Sequence, residues 1–348
     1  MIWPLPKMGA RRDISGIGPP AGDPTLSKET AMTTMKAVRL ATYGGAEVLH
    51  YEDAPRPVAG QGEVLVRVHA AGVNALDWKI RQGYLAQFAP FPLPLTIGSE
   101  FSGTVAELGP GIDVVSVGDE VFGRLPFPRQ GAYAEYVAVP VDHVAIKPAG
   151  LDHVTAAAVP FAGLTAWQGI VAAADGTPTL AVTKGQTVLI HGAAGGVGSF
   201  AVQFAKARGA RVIATGVRGQ EMFLRGLGAD EVIVTGPGAI AAAGPFDAVL
   251  DLVGDDAPAL LATVATNGSY ATTQQAPDAT AVGRSDVRVI AVMGGFEATQ
   301  LADIAALVAA GTVHVAVKDV LPLARAAEGQ DRLQSGRAEG KVVLSVAA

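Results

Sequence analysis

Glycines that follow an apolar run and open an amphipathic stretch can do chemistry without any side chain. In Thr187-Val188-Leu189-Ile190-His191-Gly192-Ala193-Ala194-Gly195-Gly196-Val197-Gly198, a strand-like run feeds such a turn, and Ser199 to Lys206 continues it as an amphipathic helix. Gly195 and Gly198 let backbone and helix come close. The open N–H groups at the helix start then face a pyrophosphate, whose charge the helix dipole favours, so Ala194, Gly195, Gly196, Val197 and Gly198 are candidate cofactor contacts. The pattern is A-x-G-x-x-G, because Ala193 stands at the first glycine position. A tight strand-to-helix turn without a ligand is the alternative reading of that motif alone. A second strand, Arg211-Val212-Ile213-Ala214-Thr215, follows at the spacing of a βαβ unit.

The end of that second strand should choose the cofactor. An NAD-preferring site places Asp or Glu there to hold the ribose 2′-hydroxyl. Here the stretch reads Thr215-Gly216-Val217-Arg218-Gly219-Gln220, with no acid and one arginine. A guanidinium suits a 2′-phosphate, so NADP(H) is expected, with Arg218 and Thr215 near the phosphate. A solvated loop charge is the alternative for Arg218.

The elements that must carry these residues are set by composition and order. At 348 residues two domains are expected, and 49% hydrophobic against 17% charged residues supply ample apolar material for cores. The net charge of −6, from 26 basic and 32 acidic residues, argues against bulk nucleic-acid binding or attraction to an anionic membrane. The absence of cysteine excludes disulfides, thiolate nucleophiles and cysteine-ligated zinc. Residues 1–34 carry Lys7, Arg11 and Arg12 but no apolar core of signal-peptide length, and read as a disordered extension. Val154 to Ala174 is an uncharged stretch long enough to cross a bilayer. Its alanines, with Pro160, Gly163 and Gly169 inside, read instead as a buried helix broken near Pro160. The expectation is a cytoplasmic protein with no membrane insertion.

Residues 36–150 read as mostly β: Met35–Leu40, the alternating Glu63–Ala70, Ser102–Leu108, Gly118–Gly123 and Gly131–Val139. After Leu151, helices and strands alternate. Helices are expected over 161–174, 197–208 and 220–227, and strands over 187–191, 211–215, 231–234, 246–251, 268–272 and 287–292. That is an α/β doubly wound parallel sheet. A helix from Leu301 to Ala310 and a closing strand over Val342–Val346 end the chain.

Several blocks then fall in order: Gly72-Val73-Asn74-Ala75-Leu76-Asp77-Trp78-Lys79-Ile80-Arg81, Gly98-Ser99-Glu100-Phe101-Ser102-Gly103, and Val117-Gly118-Asp119-Glu120-Val121. Gly131-Ala132-Tyr133-Ala134-Glu135-Tyr136, Phe161-Ala162-Gly163-Leu164-Thr165-Ala166, the glycine turn and Gly340-Lys341-Val342-Val343-Leu344 follow. The ordered set resembles the medium-chain dehydrogenase/reductase superfamily in its zinc-free quinone oxidoreductase (zeta-crystallin-like) branch, over about residues 35–348. The Asp-Trp-Lys-Ile form looks like the branch that includes chloroplast-envelope quinone oxidoreductase homologues and alkenone reductases.

The resemblance implies a GroES-like β-rich substrate domain over 35–160, completed by 293–348, and a Rossmann NADP(H)-binding domain over 161–292. The zinc alcohol dehydrogenases carry a catalytic cysteine and histidine where this chain has Asn74 and Ser99, neither of which replaces thiolate or imidazole as a zinc ligand. Without that Lewis acid the family implies reduction, by hydride from NADPH, of a quinone or of a C=C bond beside a carbonyl. Two other readings stand beside it: a 2-enoyl-thioester reductase, and an NADPH-binding structural or redox-sensing protein with little turnover. A homodimer through the strand near 287–292 is implied by the resemblance.

The same blocks nominate site residues. Asn74 and Asp77 are placed by resemblance beside the nicotinamide, against the alternative that each caps a turn through its own backbone. Lys79 can hold a substrate carbonyl oxygen and stabilise a developing enolate, or be a solvated charge. Tyr84 and Tyr133 are candidates for lining the pocket or donating a proton, with core packing favoured for Tyr133. Thr165 contacts the cofactor by resemblance, or bonds back to a helix carbonyl. Val253 and Gly254 sit at a strand end where backbone approaches ribose. Met293 and Phe296 match a cofactor-contacting segment by position, and Lys341 is placed to reach the cleft. No two of the six histidines are spaced as a ligand pair, and His191 reads as a strand residue.

Overall fold

The computed structural model describes residues 33–88, 91–236, 238–336 and 338–346. The expected N-terminal extension therefore lies, up to residue 32, outside the described residues. The first part of the chain is β-rich: β1 (Thr34–Leu40), β2 (His50–Pro55), β3 (Glu63–Val73), a short helix α1 (Ala75–Arg81), β4 (Leu95–Thr96), β5 (Glu100–Leu108), β6 (Glu120–Arg124), β7 (Tyr136–Pro140) and β8 (Val144–Ile146). The crossover runs through α2 (His153–Ala157) and α3 (Pro160–Ile170). Pro160 is the first residue of α3, where its missing N–H costs nothing and its φ is already helical. The break near Pro160 is thus present. Among the described residues no helix is long and apolar enough to cross a membrane.

Alternation follows, with β9 (Thr187–His191), α4 (Gly196–Ala207), β10 (Arg211–Gly216), α5 (Glu221–Gly226), β11 (Glu231–Val234), β12 (Phe246–Asp251), α6 (Ala257–Ala262), β13 (Val264–Thr272) and β14 (Arg288–Ala291). The chain ends in α7 (Ala298–Ala309), β15 (Val317–Pro322), α8 (Ala326–Gln334) and β16 (Lys341–Ser345). β9 to β14 form one six-stranded parallel sheet in the order β11-β10-β9-β12-β13-β14. The order reverses beside β9, which opens a crevice at the carboxyl ends of β9 and β12. β15 and β16 return to the β-rich part, where β16 pairs antiparallel with β3.

The stretch expected as one strand over Gly131–Val139 becomes regular only at Tyr136. Before that, Gly131, Ala132 and Tyr133 donate their N–H groups to Thr96, Gly98 and Ile97, so this segment crosses from one sheet to another rather than following a single ladder. One apolar cluster runs from the six-stranded sheet through Ala157, Leu164 and Ile304 to Ala70, Phe122 and Val343 of the other large sheet. That shared core fixes the two walls of the crevice relative to each other.

Candidate active site

A cavity of about 570 Å³ occupies the crevice. Its floor is the glycine turn, because Ala194, Gly195, Gly196, Val197 and Gly198 all line it. The turn is shaped by what it lacks. A Cβ on Gly198 would stand 2.4 Å from the Gly192 carbonyl oxygen, whereas one on Gly195 would meet no protein atom nearer than 3.6 Å and would point into the opening. The first N–H groups of α4 have no acceptor within the helix and border this space. Lone N–H donors, the positive end of a helix and a turn with room for a group suit a dinucleotide pyrophosphate.

Thr215, buried at the end of β10, lines the same wall. Its Oγ1 accepts the Gly192 N–H at 3.0 Å and lies 2.9 Å from His191 Nδ1, so its hydroxyl holds the turn in shape. Val217 and Gln220 line the cavity beyond it, but Arg218 is exposed on the turn and is not part of the wall. At the end of β12, on the other side of β9, Asp251 accepts N–H groups from Val253 and Gly254 at 2.9 and 3.0 Å, curling the chain so that Val253 faces the cavity. Gly254 sits behind that surface with φ +79°, and a Cβ there would be 2.7 Å from Gln274 Cγ. Thr165 lines the cavity while its hydroxyl donates to the Phe161 carbonyl at 2.7 Å, which is the helix back-bond expected as its alternative. Met293 lines the mouth and is 86% exposed. Phe296 lies off the wall, its ring stacked on His143 at 4.9 Å.

The opposite wall comes from α1 and β16. Asn74 precedes α1, and Asp77 reaches back to accept the Asn74 N–H at 2.8 Å, half of a capping box. The Asn74 side chain does other work. Its Nδ2 donates to Glu100 Oε1 at 2.8 Å and its Oδ1 accepts from Lys341 Nζ at 2.6 Å. Lys341 also donates to Glu100 Oε1 at 2.6 Å and to the Val73 carbonyl at 3.1 Å, using all three of its donors. Gly72 makes this possible, since a Cβ there would collide with the Glu100 carboxylate. Asn74 and Lys341 therefore border the cavity as members of a closed, buried network.

Asp77 lies behind that wall, fully buried, and accepts from Ser99 Oγ and from the Tyr133 hydroxyl at 2.8 Å. Desolvation lifts its pKa from the usual carboxylate value to about 6, against the pull of those donors. Tyr133 is a core residue, as favoured. Lys79 does face the cavity, where its Nζ donates to Gln274 Oε1 at 3.2 Å and burial lowers its pKa. Tyr84 does not: it is 63% exposed and packs edge-on against Trp78 at 6.0 Å.

Several wall residues are not marked as site residues by the sequence, which reads His191 only as a strand residue. His191, buried at the end of β9, lies 3.1 Å from Asp255. Arg124 and Phe161 line the cavity together, with the guanidinium 4.2 Å from the ring centroid. A lone arginine at a strand end gives no sequence signal that the fold will bury it. Among the described residues no group of three or more His, Cys, Asp or Glu side chains is placed to hold a metal ion.

Comparison with known proteins agrees with this geometry. Residues 60–149 match the alcohol dehydrogenase GroES-like domain family, and residues 227–344 match the zinc-binding dehydrogenase family. The chain is 32% identical to the mitochondrial NAD(P)H oxidoreductase RTN4IP1 of Danio rerio, over 90% of this chain and 92% of that protein. It is 37% identical to the chloroplast envelope quinone oxidoreductase homolog of Arabidopsis thaliana, over 57% of this chain and 60% of that protein. The structure of the quinone oxidoreductase from Coxiella burnetii superposes with a TM-score of 0.82 at 32% identity, covering 90% of this chain and all of that one. On its GroES-like and Rossmann parts, and on these relatives, the chain belongs to the medium-chain dehydrogenase/reductase family, with quinone oxidoreductases among its relatives.

Proposed function

We propose that the chain is a zinc-independent, NADPH-dependent reductase of a quinone or of the C=C bond in an α,β-unsaturated carbonyl compound. The observation that carries this reading is one cavity that joins the glycine turn to Asn74 and the Lys79 ammonium. When bound, the nicotinamide supplies the hydride. The start of α4 holds the pyrophosphate through backbone N–H groups, and Thr215 keeps the turn in shape to do so. Arg218, on the turn beyond Val217, is the cation assigned to the 2′-phosphate. Lys79 receives the acceptor's carbonyl oxygen and stabilises the negative charge that develops there. Tyr84 stands outside the wall, so the proton that completes reduction is assigned to water.

The donor set supports zinc independence. The Asn74 amide is committed to Glu100 and Lys341, and the Ser99 hydroxyl donates to Asp77. The Glu100 carboxylate is committed as well, to the Lys341 ammonium, the Asn74 amide and the Phe161 N–H. Relatives named as NAD(P)H and quinone oxidoreductases favour the same chemistry. We also assign a homodimer, paired along β14, which ends the six-stranded sheet; light scattering should then give twice the chain mass of 35.3 kDa.

The test is oxidation of NADPH, then NADH, with benzoquinone, phenanthrenequinone, an alkenal, an alkenone and crotonyl-CoA. Turnover of a quinone or enone with NADPH preferred is expected, with deuterium from labelled cofactor found on the enone β-carbon. Arg218→Ala should cut the NADPH preference about tenfold, the scale of one charge-assisted contact. Tight NADPH binding without turnover on any acceptor would overturn the reductase reading.

A further inference from the structure

Arg124 ends β6 and is only 7% exposed, yet it faces the cavity. Its Nη1 has no hydrogen-bond partner among the described residues. A Cβ on Gly294 would lie 3.3 Å from that nitrogen and 2.6 Å from Thr165 Oγ1, which places the guanidinium tip beside Gly294 and the cavity-lining Thr165. The Phe161 ring backs the guanidinium at 4.2 Å, and Phe127 flanks it at 5.9 Å, so one flat face is dry.

The carboxylates that could serve as its counterion are committed elsewhere. Glu100 is its register partner across β5 and β6, but that carboxylate accepts from Lys341, Asn74 and the Phe161 N–H. Asp77 accepts from Ser99, Tyr133 and the Asn74 N–H. Both lie near enough to favour the charged form of Arg124, and neither pairs with it. Burial lowers the guanidinium's pKa to about 10, so it is still cationic at neutral pH. A buried cation with an unpartnered donor is costly until an anion satisfies it. A planar guanidinium matches a carboxylate with two parallel N–H···O bonds, which a neutral carbonyl cannot equal.

We propose that Arg124 is a receptor for a carboxylate on the acceptor, so that the cavity selects acidic enones over neutral ones. Lys79 then takes the carbonyl oxygen and Arg124 the acid group, two cations for two different oxygens. The turnover consequence rests on the reductase reading above; the binding consequence does not.

The experiment therefore begins with ligands that cannot react. Calorimetric titration of the full chain, saturated with NADP+, compares 4-oxo-4-phenylbutanoate with its isosteric amide, 4-oxo-4-phenylbutanamide. The carboxylate should bind at least about tenfold tighter, as one charge-assisted pair requires. Arg124→Gln should bring that ratio close to one, and Arg124→Lys should leave it between the two. Equal affinity for acid and amide in the wild-type chain would overturn the proposal, whether or not either variant folds. So would a ratio unchanged in Arg124→Gln together with weaker NADP+ binding, which would assign the guanidinium to the cofactor. In turnover, 4-oxo-4-phenylbut-2-enoate should exceed its amide in kcat/KM by a similar factor. If neither turns over, nor any acceptor of the wider panel, the reductase reading falls and the binding ratio still decides the role of Arg124.

Discussion

Asp77 shows how a residue can belong to a site without touching its contents. It is sealed behind the wall, where three donors aim at its carboxylate while burial raises its pKa to about 6. The folded-state value is above the unfolded one, so the folded chain binds the extra proton between about pH 4 and 6. The stability it contributes is full below the unfolded pKa and is lost as pH rises through 6, by about 3 kcal/mol for about two pH units. Asp77→Asn removes that slope but leaves one oxygen for two hydroxyl donors. In urea unfolding, the stability gap between wild type and Asp77→Asn should narrow steadily from pH 4.5 to 7. A gap that widens would reverse the sign and refute the raised pKa. The type and position of Asp77 were legible in the sequence. Its burial was not, because an Asp three residues after Asn also reads as a simple helix cap.

At the scale of elements, the glycine turn carries two different constraints in four residues. A Cβ on Gly198 would strike backbone, so Gly198→Ala should lower Tm by several degrees and weaken NADPH binding with it. A Cβ on Gly195 enters open space at an ordinary φ of −72°, so Gly195→Ala should leave Tm nearly unchanged while raising the Kd for NADPH about tenfold or more. Thermal shift and fluorescence titration on both variants separate the two; equal Tm losses would contradict the geometry. Elements with strong local patterns were legible to the residue, as in β9 and β11. β2 was not, because five of its six residues are exposed and no alternation marks it. α1 was read as a motif and not as a helix, since seven residues are too few to establish a helical period.

Over the whole molecule, the closing strand does the joining. The Gly340 N–H donates to the Ala194 carbonyl at 2.7 Å, tying β16 to the glycine turn, while Lys341 ties the same strand to Glu100 and Asn74. Lys341→Met would strand a fully buried carboxylate with only the Asn74 amide and the Phe161 N–H. The expected loss is about 3–5 kcal/mol in chemical unfolding, with much of it recovered when Glu100→Gln is added. Strict additivity of the two losses would show that the pair is not coupled.

The chain order alone determined the family resemblance, the parallel sheet and the place of the dinucleotide turn, because each of these rests on local periodicity or on residues adjacent in sequence. Only the tertiary structure decided which side chains face the cavity. It withdrew Tyr84, Arg218 and Phe296 from the wall, sealed Asp77 behind it, and brought in His191, Gln274 and Arg124. The reason is distance along the chain. Lys341 and Glu100 are 241 residues apart and Lys79 and Gln274 are 195 apart, so no local pattern encodes their meeting. Burial of Arg124 likewise depends on Phe161, Thr165 and Gly294, which reach it only when the two large sheets close on a common core.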